Sequence, residues 1–225
     1  MNRNRLLLAV GAVAVAAVIV VVVLVVSSGS KSPKSAAPTV ARTIFNGVVQ
    51  NEDTLGVARA PATLTVFEDP QCPFCRQWAI DTLPTVINRY VRTGRVKLVY
   101  RGIAIIGPES IKGLRAIYAA GAKNKLWNMA DRLYQLQGAE NSGWITDAVI
   151  GEASSAISVN GNAILAASTS SAVDLGLAHA KREADFAGVS GTPTFLIGPP
   201  GQPRQLSVPA LDPASFTAAL DAALK

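Results

Sequence analysis

The chain has 225 residues, of which 49% are hydrophobic, and the apolar residues are concentrated near its start. Leu6–Val26 is a run of 21 residues without a charged side chain, and about 20 apolar residues suffice to cross a bilayer core. No second run of this length follows in the sequence, which excludes a protein that crosses a membrane several times. The remaining residues suffice for one large domain or two small ones.

The formal net charge of +6 is also unevenly distributed. Five Lys and Arg residues and no Asp or Glu occur before residue 43, which leaves 16 basic and 15 acidic residues in the rest. A nucleic-acid-binding protein concentrates positive charge on its folded domain. We therefore expect no nucleic-acid partner.

The apolar run is predicted to be an uncleaved membrane anchor, within residues 1–26. A cleaved signal peptide is the alternative, but its apolar core usually spans about 7–15 residues and ends in small residues. This run is longer and ends in Leu24-Val25-Val26. Residues 27–42 are rich in Ser, Gly, Lys, Pro and Ala, a composition that predicts a flexible linker. A folded domain is predicted over residues 43–225.

The first elements of this domain follow the order strand, helix, strand. Ala62–Glu68 is rich in β-branched residues and predicts a strand. Pro73 fits the first position of a helix, which Gly94 would end and Pro84 should kink. Arg95–Arg101 predicts a second strand. This spacing is typical of a βαβ unit with parallel strands.

The rest of the domain is predicted to be a helical insertion followed by a hairpin and a helix. Residues 109–187 show helical periodicity and no strand pattern, which indicates a helical subdomain. Thr194–Ile197 and Gln205–Val208 predict two antiparallel strands, and Pro213–Leu224 predicts a closing helix. The predicted fold class is α/β, with helices inserted between the βαβ unit and the hairpin.

The chain has two cysteines, which lie three residues apart in Cys72-Pro73-Phe74-Cys75. A zinc site needs more ligands than these, and His179 is the only histidine. A structural disulfide within so small a loop would restrict little chain entropy. The third interpretation, a redox-active pair, is favoured by the position of Cys72 at a helix start.

Backbone N–H groups and the positive end of the helix dipole stabilise a thiolate at such a position. The thiolate is the nucleophile in thiol–disulfide exchange. Cys72 is therefore predicted to be the exposed, attacking thiol. Cys75, one turn further and deeper, is predicted to resolve the mixed disulfide.

Two segments resemble the motifs of bacterial thioredoxin-fold proteins of the DsbA type. The segment that ends in the two cysteines, Phe67–Cys75, resembles their active site, and Gly188–Phe195 resembles their second motif. The resemblance extends over about Leu55–Leu224. It implies a thioredoxin-like fold with an inserted helical domain, in a membrane-anchored bacterial member of the family.

The resemblance also implies a cis peptide bond between Thr192 and Pro193. Pro193 would then place backbone polar groups opposite Cys72, where they pair with an extended substrate chain. Phe74 departs from family members that carry His between the cysteines, and so removes one source of thiolate stabilisation.

Two carboxyl groups precede the motif, and one of them can accept a proton from Cys75 during exchange. Asp69 fits the family pattern better than Glu68, and solvated turn residues are the alternative for both. Trp78, Trp127 and Tyr134 are expected to be packing residues rather than site residues.

The sequence thus predicts a membrane-tethered thiol–disulfide oxidoreductase that introduces disulfides into exported proteins. Cytosolic thiols are kept reduced, so the domain is expected on the extracytoplasmic side of the cell membrane. The family implies no cofactor, and reoxidation by a quinone-linked membrane partner. The alternatives are a reductase or isomerase of the same fold and a non-catalytic peptide-binding module.

Overall fold

The computed structural model of the chain describes residues 42–225. The predicted anchor and all but the last residue of the predicted linker lie outside this range. None of the helices within the described range is long and apolar enough to span a membrane.

A six-stranded mixed sheet forms the centre of the domain. Its spatial order is β1-β2-β4-β3-β5-β6. Strands β3 and β4 are parallel over seven residue pairs, which confirms the predicted βαβ unit. Strand β5 runs antiparallel to β3 and to β6. The strand bounds are Gln50–Asn51 (β1), Thr54–Leu55 (β2), Ala62–Glu68 (β3), Val96–Gly102 (β4), Thr194–Gly198 (β5) and Arg204–Gln205 (β6).

The predicted helical insertion is present between β4 and β5. It consists of five helices that together run from Glu109 to Phe186, and it separates β4 from β5 along the chain. A closing helix, α7, follows the β5–β6 hairpin. The helix bounds are Glu109–Gly121 (α2), Leu126–Leu136 (α3), Asp147–Ala156 (α4), Gly161–Ala167 (α5), Ser171–Phe186 (α6) and Pro213–Ala223 (α7).

The helix that links β3 to β4 is unusual in its hydrogen bonding. Four helical segments follow one another without a break, and we name them together α1: Pro73–Gln77, Trp78–Thr82, Leu83–Val86 and Ile87–Val91. The second and fourth have π-type geometry. The N–H of Leu83 bonds to the carbonyl of Trp78, five residues earlier, so the widened turn lies directly before Pro84. A π turn is one way in which a helix accommodates an inserted proline.

Arg42, the first described residue, contacts this widened turn. Its guanidinium donates to the carbonyl oxygens of Ala79 at 2.8 Å and Ile80 at 3.1 Å. It also forms an ion pair with Asp131 of α3, whose side chain is only 3% exposed. Arg42, predicted as the end of the linker, thus contacts both α1 and the inserted helices.

The main core lies between the sheet and α1, α3 and α7. Trp78 of α1 packs against the rings of Phe195 on β5 and Phe216 on α7, with centroid distances of 4.9 Å and 4.5 Å. All three side chains are buried. This aromatic cluster fixes the first turns of α1 against the sheet, and so fixes the cysteines at its start.

Candidate functional site

The candidate site lies where β3 ends and α1 begins. Cys72 is the N-cap residue of α1, with φ −71° and ψ 120°, and Pro73 occupies the first helical turn. Proline is favoured at this position because the N–H that it lacks would have no acceptor within the helix. Cys75 lies one turn further along, and both cysteines are free thiols.

Cys72 is buried, with 3% of its surface exposed. The expectation of an exposed attacking thiol is therefore wrong for this conformation. The cause is the loop before β5, which covers the sulfur: Cys72 Sγ donates a hydrogen bond to the carbonyl oxygen of Thr192, at 3.2 Å.

The surroundings of Cys72 stabilise its thiolate. A hydrogen bond from the thiol of Cys75 contributes most, and the side chain of Thr192 and the N–H groups of Cys75 and Phe74 add to it. Together they outweigh the opposing effect of burial and lower the pKa of Cys72 to about 6. A substantial fraction of Cys72 is consequently ionised at neutral pH.

Cys75 has the opposite electrostatic environment. It is fully buried, and burial raises its pKa well above the ordinary value of a thiol. The hydrogen bond that it donates to Cys72 and the charge of Glu68 raise this pKa further. The thiolate of the pair is therefore located on Cys72, as the helix-start argument predicts.

Glu68 is a buried carboxyl close to both sulfurs. Burial is the main reason that its pKa is raised to about 8, and the charge of Cys72 contributes. Its Oε1 accepts a hydrogen bond from Trp78 Nε1 at 3.1 Å, and the Tyr134 hydroxyl also lies within hydrogen-bonding range. Glu68 is therefore protonated at neutral pH and is able to exchange a proton with its neighbours.

Asp69 has a structural environment instead. Oδ1 accepts hydrogen bonds from the Gln71 N–H at 2.8 Å and from Ser110 Oγ at 2.6 Å. Oδ2 accepts from the N–H groups of Ile105 at 2.7 Å and Ile106 at 2.9 Å. These four donors connect the end of β3 to the segment after β4. The geometry therefore favours Glu68 over Asp69 as the proton-exchanging carboxyl, contrary to the family pattern.

The loop before β5 brings Thr192 and Pro193 to the cysteines. The peptide bond between them is cis, as the resemblance implies. The Thr192 hydroxyl oxygen is buried, and it has no hydrogen-bond partner among the described residues. This hydroxyl is thus free to donate to the Cys72 sulfur when that sulfur is ionised.

The inserted helices also contribute to the site, which the sequence interpretation did not anticipate. Gln137, directly after α3, donates through Nε2 to the carbonyl oxygens of Pro70 at 2.8 Å and Cys72 at 3.1 Å. The Tyr134 hydroxyl donates to the Asp69 carbonyl oxygen at 3.3 Å. The end of α3 therefore holds the loop that carries Cys72. An isolated Gln at a helix end gives no sequence signal for this role.

The remaining residues occupy the surface or the core. Phe74, between the cysteines in sequence, is 61% exposed, and His179 lies on the surface of α6. Trp78 and Trp127 are buried packing residues, although Trp78 also contacts Glu68. Between residues 42 and 225, no three His, Cys, Asp or Glu side chains converge as metal ligands.

Sequence relatives of the chain are found in Bacillus. A probable disulfide bond formation protein D from Bacillus cereus is 33% identical over 99 residues, which cover 43% of this chain and 45% of the relative. Disulfide bond formation protein D from Bacillus subtilis is 24% identical over 110 residues, or 46% and 48% of the two chains. The chain thus spans about half the length of these relatives.

Solved structures match over a larger part of the chain. Oxidised BdbD from Bacillus subtilis has a TM-score of 0.66 at 17% identity, over 80% of this chain and 99% of that chain. DsbA2 from Pseudomonas aeruginosa has a TM-score of 0.57 at 21% identity, over 78% and 95%. At these identities, the matches demonstrate a shared fold. The family model described as thioredoxin matches residues 49–220, which include the entire candidate site, and the chain therefore belongs to the thioredoxin family.

Proposed function

We propose that this protein is a thiol–disulfide oxidoreductase that introduces disulfide bonds into exported proteins through Cys72 and Cys75. The observation that carries the proposal is the opposite direction of the two pKa shifts: the pKa of Cys72 is lowered to about 6 and that of Cys75 is raised. A stabilised Cys72 thiolate is a good leaving group. It therefore favours transfer of the disulfide to the substrate.

The reaction begins with a disulfide between Cys72 and Cys75. A substrate thiolate attacks Cys72 Sγ, a mixed disulfide forms, and the bond to Cys75 breaks with its electron pair on the Cys75 sulfur. Because burial disfavours this thiolate, it takes up a proton, and protonated Glu68 is the neighbouring donor.

A second substrate thiolate then attacks the substrate sulfur of the mixed disulfide. The substrate disulfide forms, and Cys72 leaves as the thiolate that its surroundings stabilise. Two electrons have moved from the substrate to the cysteine pair. A quinone-linked membrane partner would remove these electrons and restore the oxidised pair, without a cofactor in this chain.

Trapping of the mixed disulfide tests the assignment. In a Cys75→Ser variant, the Cys72 thiolate should attack disulfides of exported proteins and release one substrate sulfur as a thiolate. The resulting mixed disulfides should accumulate, visible as adducts on non-reducing gels, because Cys75 is absent and cannot resolve them. A Cys72→Ser variant is the matched control and should trap few. Trapping on Cys75 alone would exchange the two roles, and no adducts with either variant would contradict catalysis.

The reduction potential of the Cys72–Cys75 couple separates the oxidase from its rival. An oxidase requires a potential more oxidising than that of its substrates' disulfides, whereas a reductase requires the reverse. A couple as reducing as thioredoxin would support the reductase alternative.

Membrane attachment through Leu6–Val26, with the domain on the extracytoplasmic side, is part of the proposal. Its support is the length of the apolar run and the redox chemistry of the domain. Mass spectrometry of the protein from membranes should find the amino-terminal residues intact. A mature amino terminus after residue 26 would indicate a cleaved signal peptide.

A further inference from the structure

The end of the domain opposite the cysteines carries a concentration of positive charge. Strand β3 ends near Cys72, whereas its first residue, Ala62, lies at the other end of the sheet, where α1 ends and β4 begins. Six basic side chains lie at this end, and we name them the basic pole: Arg59, Arg89, Arg92, Arg95, Lys97 and Arg204.

Contacts show that three of these side chains, those of Arg89, Arg95 and Arg204, share one surface. Arg95 and Arg204 line the same groove, beside Pro61. The guanidinium groups of Arg89 and Arg95 lie over the Tyr90 ring, 5.5 Å and 5.2 Å from its centroid. Along the chain, Arg59 precedes β3, Arg95 and Lys97 lie at the start of β4, Arg89 and Arg92 lie at the end of α1, and Arg204 begins β6.

Few negative charges offset the basic pole. Within residues 42–225, Asp221 is the acidic side chain that contacts it, at 3.1 Å from Arg89 and 3.8 Å from Arg95. The described range contains 17 Lys and Arg and 15 Asp and Glu, so 11 basic and 14 acidic residues remain elsewhere. The domain is therefore polarised, with a positive pole and a net negative remainder.

Two apolar side chains are exposed next to this charge. Val49 is 61% exposed and Val57 is 39% exposed. The Val49 carbonyl oxygen accepts a hydrogen bond from the N–H of Gly56, so the two valines belong to neighbouring turns. Val57 lies beside Gly94, which directly precedes Arg95. Exposed apolar residues within a basic surface are typical of proteins that bind at a membrane interface.

We propose that the basic pole docks on anionic phospholipid headgroups, with Val49 and Val57 entering the interface. This inference rests on the proposed membrane attachment, which would keep the domain close to a bilayer. Guanidinium groups bind phosphate through two parallel hydrogen bonds. Each basic residue near an anionic membrane surface adds to the attraction between the protein and that surface. The exposed valines favour a lipid surface over a soluble polyanion.

Docking would direct the cysteines away from the bilayer. Strand β3 has seven residues between the pole and the site, a rise of about 23 Å at roughly 3.3 Å per residue. The docked domain thus presents Cys72 to exported chains. A membrane-embedded reoxidase requires the opposite orientation, with Cys72 facing the bilayer. Electrostatic binding at a surface is weak enough for the domain to be released from the bilayer at moderate salt.

Lipid-dependent protection of arginines tests the proposal with the full-length chain. The protein is reconstituted into vesicles of phosphatidylcholine alone, or of phosphatidylcholine with phosphatidylglycerol, and treated with phenylglyoxal. Mass spectrometry then follows modification of each arginine. Arg59, Arg92 and Arg204 should react several-fold more slowly in the anionic vesicles, and high salt should abolish the difference. Arg76 near the site and Arg182 on α6 should react equally in both.

Matched variants identify the surface responsible. The pole variant combines R59Q, R92Q and R204Q, and the control variant combines K112Q, K123Q and R182Q. The pole variant should lose protection of its remaining pole residues, Arg89 and Arg95, whereas the control variant should keep it.

Three results would overturn the proposal: equal modification in both lipids, equal protection by free glycerol phosphate or by RNA, or equal loss of protection in the two variants. Flotation with neutral vesicles reports the membrane anchor separately. Disulfide transfer to a reduced peptide reports the proposed activity separately, so failure of either is distinguishable from failure of docking.

Discussion

The carbonyl oxygen of Thr192 lies 3.2 Å from the sulfur of Cys72, although 120 residues separate the two in the chain. The same threonine has a buried hydroxyl without a hydrogen-bond partner among the described residues. One residue thus supplies an acceptor for the thiol form of Cys72 and a donor for its thiolate form.

A Thr192→Val substitution should therefore raise the pKa of Cys72 from about 6, because the donor to the thiolate is lost while the carbonyl acceptor remains. The pH dependence of Cys72 alkylation by iodoacetamide measures this pKa. Thr93→Val, at the far end of α1, is the control and should leave the midpoint unchanged. A midpoint unchanged in Thr192→Val would show that the hydroxyl does not reach the sulfur.

The stability of the reduced form relative to the oxidised form should increase with pH. The folded pKa of Cys72, about 6, lies below its unfolded value, so the stabilisation is complete above the unfolded pKa and is lost as pH falls through 6. Between about pH 5 and pH 8, we expect the free energy of unfolding of the reduced form to increase by roughly 2 kcal/mol relative to that of the oxidised form, at about 1.36 kcal/mol per pKa unit. Guanidinium denaturation curves of the two forms measure this difference in stability. A difference that does not change with pH would contradict the thiolate assignment.

Glu68→Gln should stabilise the folded protein at neutral pH. The folded pKa of Glu68, about 8, is raised above its ordinary value of 4.5, so its contribution to stability is lost as pH rises from 4.5 through 8. A neutral amide removes this penalty, which is roughly 3 kcal/mol near pH 7. Denaturation curves of the Glu68→Gln variant and of the unsubstituted protein should differ at pH 7 but not at pH 4.5.

The exposed Glu140→Gln variant is the control for this measurement and should change stability at neither pH. Glu68→Gln should also slow disulfide transfer, because the proton donor to Cys75 is removed. A variant that is destabilised at pH 7 would indicate that Glu68 is ionised in the fold.

Asp69→Asn should destabilise the protein, because an amide nitrogen replaces one oxygen and faces N–H or O–H donors. Hydrogen bonds to a charged acceptor contribute about 1.5–3 kcal/mol each. We expect a loss of roughly 3 kcal/mol in the free energy of unfolding, measured by urea denaturation. Asp81→Asn, at an exposed position of α1, should be nearly neutral. Equal effects of the two substitutions would refute the structural role of Asp69.

The central elements of the fold were predictable from the sequence because each has a strong local pattern. Ala62–Glu68 has the predicted bounds, and the helical insertion begins and ends within a residue of its prediction. Strands β1 and β2 were not predicted. Each has two residues, and the pairing of β1 with β2 and of β2 with β4 arises from tertiary contact rather than from local periodicity.

The site was predictable to a similar extent. The cysteine spacing and the helix start identify Cys72 and Cys75 from local sequence. Local sequence does not separate the roles of Glu68 and Asp69. Asp69 differs from Glu68 because it accepts hydrogen bonds from the N–H groups of Ile105 and Ile106, more than 35 residues away. The cover over Cys72 likewise depends on a distant loop.

The contacts of Arg42 determine where a shortened, soluble version of the domain can begin. Pro84 has no N–H to donate to the carbonyls of Ala79 or Ile80, and the Arg42 guanidinium donates to both. The same group is the counter-charge of buried Asp131. A version that starts at residue 43, the boundary that composition suggests, would deprive two helix carbonyls of the Arg42 donor and leave the Asp131 carboxylate with Gln135 but without its ion-pair partner. A stable fragment therefore has to include Arg42.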